Sequence, residues 1–397
     1  MKRREFIKIS GAGLIAGAAG SAFSGPLAFP GKSDLDYHRI ADIRFSTLSL
    51  RYKRPLGKSA RFEARGDNIE EAIHILYTDK GASGWGLSRG SRESLESLFS
   101  LIRGKRVSDL IDPSAGVISP LNEAFDFSLF DLAGNILRKP VYRLLGKKKP
   151  EICVCSSIIC FDDLEPSGNP SGIKKIMEEC HSDFELGYRQ LKIKTGRGFR
   201  WMEKDEGLKR DIEITRQVIE AFPGCNVLID ADKSFTSESF LSYLESCGPL
   251  ALFWIEEPFP ETIIDYARLS SWLKVHNQHP YLAAGKTDPD EQVLQSLESQ
   301  RVINVAVEDL LATGFSAWIK KIRLLKLRGI QASPATRGSA IRSNYTAHLA
   351  GAFATIPSIE TAGCYSDDVD LGGYALDNGR LIPSAAPGFG MKVLRKI

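Results

Sequence analysis

Four short apolar runs in this chain each end in charged residues, about one strand-plus-helix apart. They are Gln190-Leu191-Lys192-Ile193-Lys194, Val227-Leu228-Ile229-Asp230-Ala231-Asp232, Phe253-Trp254-Ile255-Glu256-Glu257-Pro258 and Ala283-Ala284-Gly285-Lys286. A β/α barrel brings such residues together, because its parallel strands all point their C-terminal ends at one mouth. The surrounding text fits. Strands are expected at 151–158, 190–194, 226–231, 251–256, 281–284, 302–307, 330–333 and 357–361, with helical periodicity between them, as at 205–222 and 314–327. Eight such units over about 210 residues have the size of one barrel. An open doubly wound sheet fits less well, since no glycine-rich phosphate turn opens a helix after the first strand. No short repeat supports a solenoid.

Upstream the pattern differs. Residues 42–78 alternate as strands, with Gly84-Trp85-Gly86 read as the turn closing that sheet. Helical periodicity follows over 91–145, clearest from Asn122 to Ala133. Strands first and helices later imply a small α+β domain. The expected division is α+β over 38–150, barrel over 151–375, and a C-terminal segment, 376–397, returning to the first domain.

Residues 1–30 read as a twin-arginine signal peptide: Arg3-Arg4-Glu5-Phe6-Ile7-Lys8, then a Gly/Ala-rich run too short and too small-residue-rich for a membrane span. The expected destination is the periplasm or another exported location, against a disordered cytosolic N-terminus as the alternative. No other apolar stretch approaches spanning length, so no membrane span is expected after signal removal. The seven cysteines are odd in number and irregular in spacing, which does not suggest a disulfide framework. The net charge of +3 gives no reason to expect a nucleic-acid partner. Lys147-Lys148-Lys149 reads as a solvated linker.

Period-two alternation puts Lys192 and Lys194 on one side of their strand. Two neighbouring ammonium groups should lower each other's pKa, which would make one a usable base near neutrality. Taken alone, the pair reads more readily as two lysines on a solvated strand edge. Asp230 and Glu256 end apolar strands and can supply oxygen ligands to Mg²⁺. Asp232 shares that logic, or caps the following helix. Glu360 ends the last strand, either at the mouth or in an ordinary contact. His348 reads as packing, and His276 and His279 as exposed.

The order Lys-x-Lys, Asp-Ala-Asp, Ile-Glu-Glu-Pro resembles the enolase superfamily, in its mandelate racemase and muconate-lactonising branch. Ala124 through Gly134, with Pro140-Val141-Tyr142-Arg143-Leu144-Leu145-Gly146, is similar to the helix leading into that family's barrel. Lys194-Thr195-Gly196-Arg197-Gly198 through Glu213 resembles the acid-sugar dehydratase-like members. The resemblance implies an α/β fold: an N-terminal α+β capping domain over a modified TIM barrel, (β/α)7β. It implies Mg²⁺ stabilising an enediolate while a lysine takes the α-proton of a small carboxylate substrate. By position Lys194 would be the base. Lys192 would tune it and contact the substrate carboxylate, and Asp230 and Glu256 would be metal ligands. The family's habit also implies a homo-oligomer.

The pattern breaks in two places. The family's third acidic ligand matches Lys286, and its catalytic His matches Ala335, whose orienting acid matches Glu308. Two-base racemisation through a His–Asp pair is therefore not expected. Lys286 admits three readings. Its ammonium stands between Asp230 and Glu256 in the metal's place. Or it turns away, and Mg²⁺ is held by Asp230, Glu256 and Asp232 or Glu257. Or the site only binds. Charge balance favours the first. With Arg337 the lysines would make a cationic mouth for a carboxylated ligand, and Lys286 joins Lys192 and Lys194 as a candidate proton-transfer group.

Overall fold

Two long strands, β1 (Ile40–Leu56) and β2 (Gly66–Thr78), pair antiparallel, and β3 (Ser83–Leu87) adds to β2. The computed structural model describes residues 32–146, 151–249 and 251–395. The expected signal peptide and the basic triplet at 147–149 lie outside them. β3 corrects the turn expected at Gly84-Trp85-Gly86. Its glycines serve close packing: a Cβ on Gly84 would stand 2.2 Å from the Leu132 nitrogen, and one on Gly86 2.5 Å from that of Ser128. The helix Asp126–Leu137 lies directly on the bare backbone of β3, which only glycine permits. The helical stretch expected over 91–145 is also interrupted. After Arg92–Ile102 comes a small hairpin, Ile111–Asp112 with Gly116–Val117, where Asp112 Oδ1 accepts the Ser114 N–H across Pro113. An Asx turn and a proline end helical periodicity there.

All eight expected barrel strands form: β4 (Ile152–Ile159), β5 (Gln190–Lys194), β6 (Asn226–Asp230), β7 (Leu252–Glu256), β8 (Tyr281–Ala284), β9 (Val305–Ala306), β10 (Gln331–Ala332) and β11 (Ile359–Thr361). Parallel ladders join β4 through β10 in chain order, and β11 pairs parallel with β4. At the β10/β11 seam there is no ladder. Instead the Ala332 N–H donates to the Thr355 carbonyl at 3.0 Å, and Ser333 Oγ to that of Ser358 at 2.7 Å.

Period two then sorts the side chains. Leu191, Ile193, Val227, Ile229, Ile255 and Leu282 face outward into the helices, against residues such as Ile214 and Phe240. Leu228, Trp254, Ala283 and Val305 point inward and fill the barrel. Burial on both faces explains why these strands read as near-continuous apolar runs.

The chain shares its C-terminal part between both units, and the exchange begins before 376. Cys364–Tyr365 pairs with β1 of the α+β sheet. Arg380–Ile382 pairs with barrel strand β4, after a hairpin in which Asn378 and Gly379 both have positive φ. Beyond it, the Phe389 N–H donates to Asp131 on the helix Asp126–Leu137. All seven cysteines are free. Among the described residues no helix is long and apolar enough to cross a membrane.

Candidate active site

The ladder register places Lys194 opposite Asp230, and Asp230 opposite Glu256, across three adjacent strands. Lys286 follows β8 by two residues. Gly285, at φ +106°, turns the chain there, and a Cβ on it would meet Leu294 at 2.9 Å. This left-handed, crowded bend suits glycine alone. It sends the Lys286 side chain back over the barrel.

Lys286 Nζ donates to Glu256 Oε1 at 2.5 Å and to Asp230 Oδ2, and lies 3.3 Å from Asp232 Oδ1. Lys194 Nζ donates to Asp230 Oδ2 at 2.7 Å and to both Asp232 oxygens at 2.9 and 3.0 Å. Lys192 Nζ donates to Glu256 Oε2 at 3.0 Å and to Glu360 Oε1, with Asp230 at 3.6 Å. The Trp254 indole N–H also holds Glu256 Oε2, at 3.0 Å. Glu360 is thus a mouth residue, its other oxygen accepting the Thr336 N–H at 3.0 Å. Asp232 is not the helix cap: Thr236 caps Ser237–Cys247.

Several expectations change here. Lys192 does not have a lowered pKa. Burial opposes its charge, but Glu256, Glu360 and Asp230 outweigh burial and hold it well above the ordinary lysine value. The sequence shows its like-charged neighbour but not the carboxylates that surround it. Lys286 is likewise held up, by Asp230, Glu256 and Asp232 against burial. Glu360 is pulled down to about 2, against burial, by Lys192 and Lys286. Lys192 is also more deeply buried than Lys194, with a side chain 3% exposed against 14%. It lines a small void inside the barrel, whereas Lys194 lines the outer pocket.

Glu308 is not at the mouth. It follows the inward Val307, so alternation turns it outward, where Lys321 on the helix Phe315–Arg328 takes its Oε1. Ala335 is buried and brings no titratable group. Glu257 is also fully buried, and its Oε1 accepts the amide N–H groups of Lys286 and Thr287. Arg337 does line the pocket. Its Nε donates to Asp309 Oδ2 at 3.1 Å and its Nη2 to the Lys286 carbonyl.

The pocket above these groups is roofed by the loop after β1. Lys194, Asp230, Asp232, Lys286, Arg337 and Glu360 line it below, and Ser59, Phe62, Glu63 and Arg65 above. The loop is tied down at several points, among them the Lys58–Glu165 ion pair at 2.6 Å. Trp201 Nε1 donates to the Ser59 carbonyl at 2.7 Å, and Arg65 Nη1 to that of Arg337 at 2.9 Å. Arg61 donates to the carbonyls of Asp232 and Lys233 at 2.5 and 2.8 Å. The Arg61 clamp and the buried Lys233–Glu261 pair were missed in the sequence. The clustering of basic residues at Lys58, Arg61 and Arg65 was the available signal for the first.

Carboxylate oxygens of Asp230, Glu256 and Glu360 lie within 4.8 Å of one another, a set that could hold a metal ion. A divalent ion there needs their lone pairs, since Mg²⁺ takes near-octahedral oxygen coordination. Ammonium hydrogens already occupy them: Lys286 on Asp230 and Glu256, Lys192 on Glu256 and Glu360. Arranged in this way, the residues do not fit Mg²⁺ between Asp230 and Glu256.

Solved structures share this architecture over most of the chain. A galacturonate dehydratase from Geobacillus sp., solved with D-galacturonate and 5-keto-4-deoxy-D-galacturonate, matches with a TM-score of 0.83 and 26% identity, over 90% of this chain and 95% of that chain. A variant of that dehydratase was solved with Mg. The N-succinyl-L-Arg/Lys racemase of Bacillus cereus is 22% identical over 82% of this chain and 88% of its own length. The arabinonate dehydratase of Saccharolobus solfataricus is 24% identical over 68% of each. Relatives named as racemases, epimerases and dehydratases support an isomerase or lyase. Residues 175–397 match the family described as enolase C-terminal domain-like, and with that barrel and those relatives the chain belongs to the enolase superfamily, in its mandelate racemase and muconate-lactonising branch.

Proposed function

We propose that this protein removes the α-proton of a small, sugar-derived carboxylic acid, leading to dehydration or isomerisation through an enediolate. The observation that carries this reading is the position of Lys194. Its ammonium sits on the pocket floor with a side chain 14% exposed, and Lys286 and Arg337 line the same pocket. Asp230 and Asp232 hold Lys194 in place, and its side chain borders the pocket directly. The neutral form of Lys194 accepts the α-proton. The cationic groups Lys286 and Arg337 supply the positive charge that an enediolate requires. In dehydration the proton leaves with the β-hydroxyl as water. In isomerisation Lys194 returns it. Ala335 offers no second base, so a single-base course follows. The substrate class is inferred from the dehydratases among the relatives, and the twin-arginine pattern supports export as part of the same proposal.

The test is a panel of sugar acids, D-galacturonate among them, incubated with the protein in deuterated water and followed by NMR. Deuterium at the α-carbon, or a keto-acid product, is expected from the wild type and not from Lys194→Met. Equal turnover by that variant would sink Lys194 as the base. The second reading is a carboxylate-binding protein without turnover. It is favoured by the full engagement of the Lys286 ammonium, and it predicts ligand binding with no solvent exchange.

A further inference from the structure

The ammonium of Lys286 is held in place by more than its own carboxylate partners. An ammonium has three hydrogens, and three acceptors surround this one: Asp230 Oδ2, Glu256 Oε1 and Asp232 Oδ1. Its backbone is fixed just as closely. Gly285 bends the chain in a conformation that a side chain would strain. Glu257 Oε1 takes the two amide N–H groups at 286 and 287, each at 2.7 Å. Lys233 stands 4.0 Å from that carboxylate and pairs with Glu261, while Arg337 holds the Lys286 carbonyl. A residue clamped in this way has no alternative site for its charge, and evicting it would leave a buried ammonium without partners.

The charges agree. Asp230, Asp232, Glu256 and Glu360 face the three ammonium groups of Lys192, Lys194 and Lys286, so the cluster is within one charge of neutrality. A dication added to this set would make it cationic in a buried place.

We infer that Lys286 is a built-in cation occupying the space between Asp230 and Glu256, and that this site assembles and takes its acid ligand with no divalent metal there. The ligand half rests on the function proposed above; the cation half does not.

Calorimetric titration with Mg²⁺ tests the cation half on the full protein. The wild type is expected to show no saturable binding. Lys286→Glu, which replaces the ammonium by a carboxylate beside Asp230 and Glu256, is expected to bind one Mg²⁺. Adding Glu256→Gln to that variant should weaken binding by about tenfold or more. Saturable Mg²⁺ binding by the wild type that Glu256→Gln removes would overturn the inference, and so would a folded Lys286→Glu that binds none. Should Lys286→Glu not fold, Lys286→Met serves: Mg²⁺ should raise its melting temperature and leave that of the wild type unchanged, and the reverse pattern would overturn the inference. Solvent deuterium exchange in chelator-treated buffer reports the reaction separately, so either half can fail alone.

Discussion

Glu257 carries the backbone of Lys286: its Oε1 accepts the Lys286 N–H at 2.7 Å, and the Thr287 N–H at the same distance. The carboxylate is 0% exposed, with Lys233 as its nearest cation. Removing it would leave two amide groups unpaired and a buried ammonium with one partner fewer. Glu257→Ala should therefore destabilise the fold by about 3–5 kcal/mol. Glu257→Gln keeps a carbonyl oxygen for the amides and should cost clearly less. Urea unfolding of both variants checks the order. Equal losses would mean that the charge, not the acceptor geometry, is what matters.

Arg61 links the roof loop to the floor of the pocket. It grips the carbonyls of Asp232 and Lys233, two consecutive residues with φ of +46° and +58°. Asp232 in turn holds Lys194. Hydrogen bonds from a charged donor contribute about 1.5–3 kcal/mol each. Their loss in Arg61→Ala should raise amide exchange in residues 57–65 roughly tenfold or more. Hydrogen exchange read by mass spectrometry decides this, and unchanged rates in that segment would show that the other ties, among them Trp201, Arg65 and the Lys58–Glu165 pair, hold the loop without Arg61.

Much of the barrel was legible because its strands are largely apolar on both faces, with charged residues gathered toward their C-terminal ends. The register then brings Lys194, Asp230 and Glu256 together without further information. What the sequence hid were partners far along the chain. Glu360 reaches Lys192 across 168 residues, and with Glu256 and Asp230 it reverses the direction expected for the Lys192 pKa. The outward turn of Glu308 was hidden because β9 has only two ladder residues, too few to reveal which way the next side chain points. The same text, Gly-Trp-Gly, serves a turn or a close approach, and only the helix lying on it distinguishes them.

That close approach yields a stability prediction. A Cβ on Gly86 would stand 2.5 Å from the Ser128 nitrogen and 2.6 Å from the Phe127 Cβ. Neither atom can move unless the whole helix Asp126–Leu137 shifts, and that helix also carries the tail through Asp131. Overpacking of this kind costs about 1–3 kcal/mol or more. Gly86→Ala should lower the unfolding free energy by that amount, whereas Gly81→Ala, where nothing lies within 4 Å, bears only the cost of its positive φ. Comparable losses at both positions would argue against the contact with the helix as the cause.

Asp131 makes stability depend on pH. It is 2% exposed and accepts from the amides of Phe389 at 2.9 Å and Trp85 at 3.1 Å and from the Asn135 side chain at 3.2 Å, with no cation among these partners. Burial pushes its pKa from 3.8 up to about 7, against the pull of those hydrogen bonds. Between about pH 4 and pH 7 the folded state keeps a proton that the unfolded chain has released. The unfolded state thus binds fewer protons, and stability falls as pH rises through that window, by up to about 1.4 kcal/mol per pH unit. The contribution is fully present below the unfolded pKa and is lost above the folded one. Asp126, raised to about 6 by burial, acts in the same direction, so the Asp131 share must be read as a difference. Asp131→Asn cannot ionise. Its urea midpoint should change less between pH 5 and pH 8 than that of the wild type. Parallel pH profiles for the two proteins would mean that Asp131 titrates near its ordinary value in the folded state.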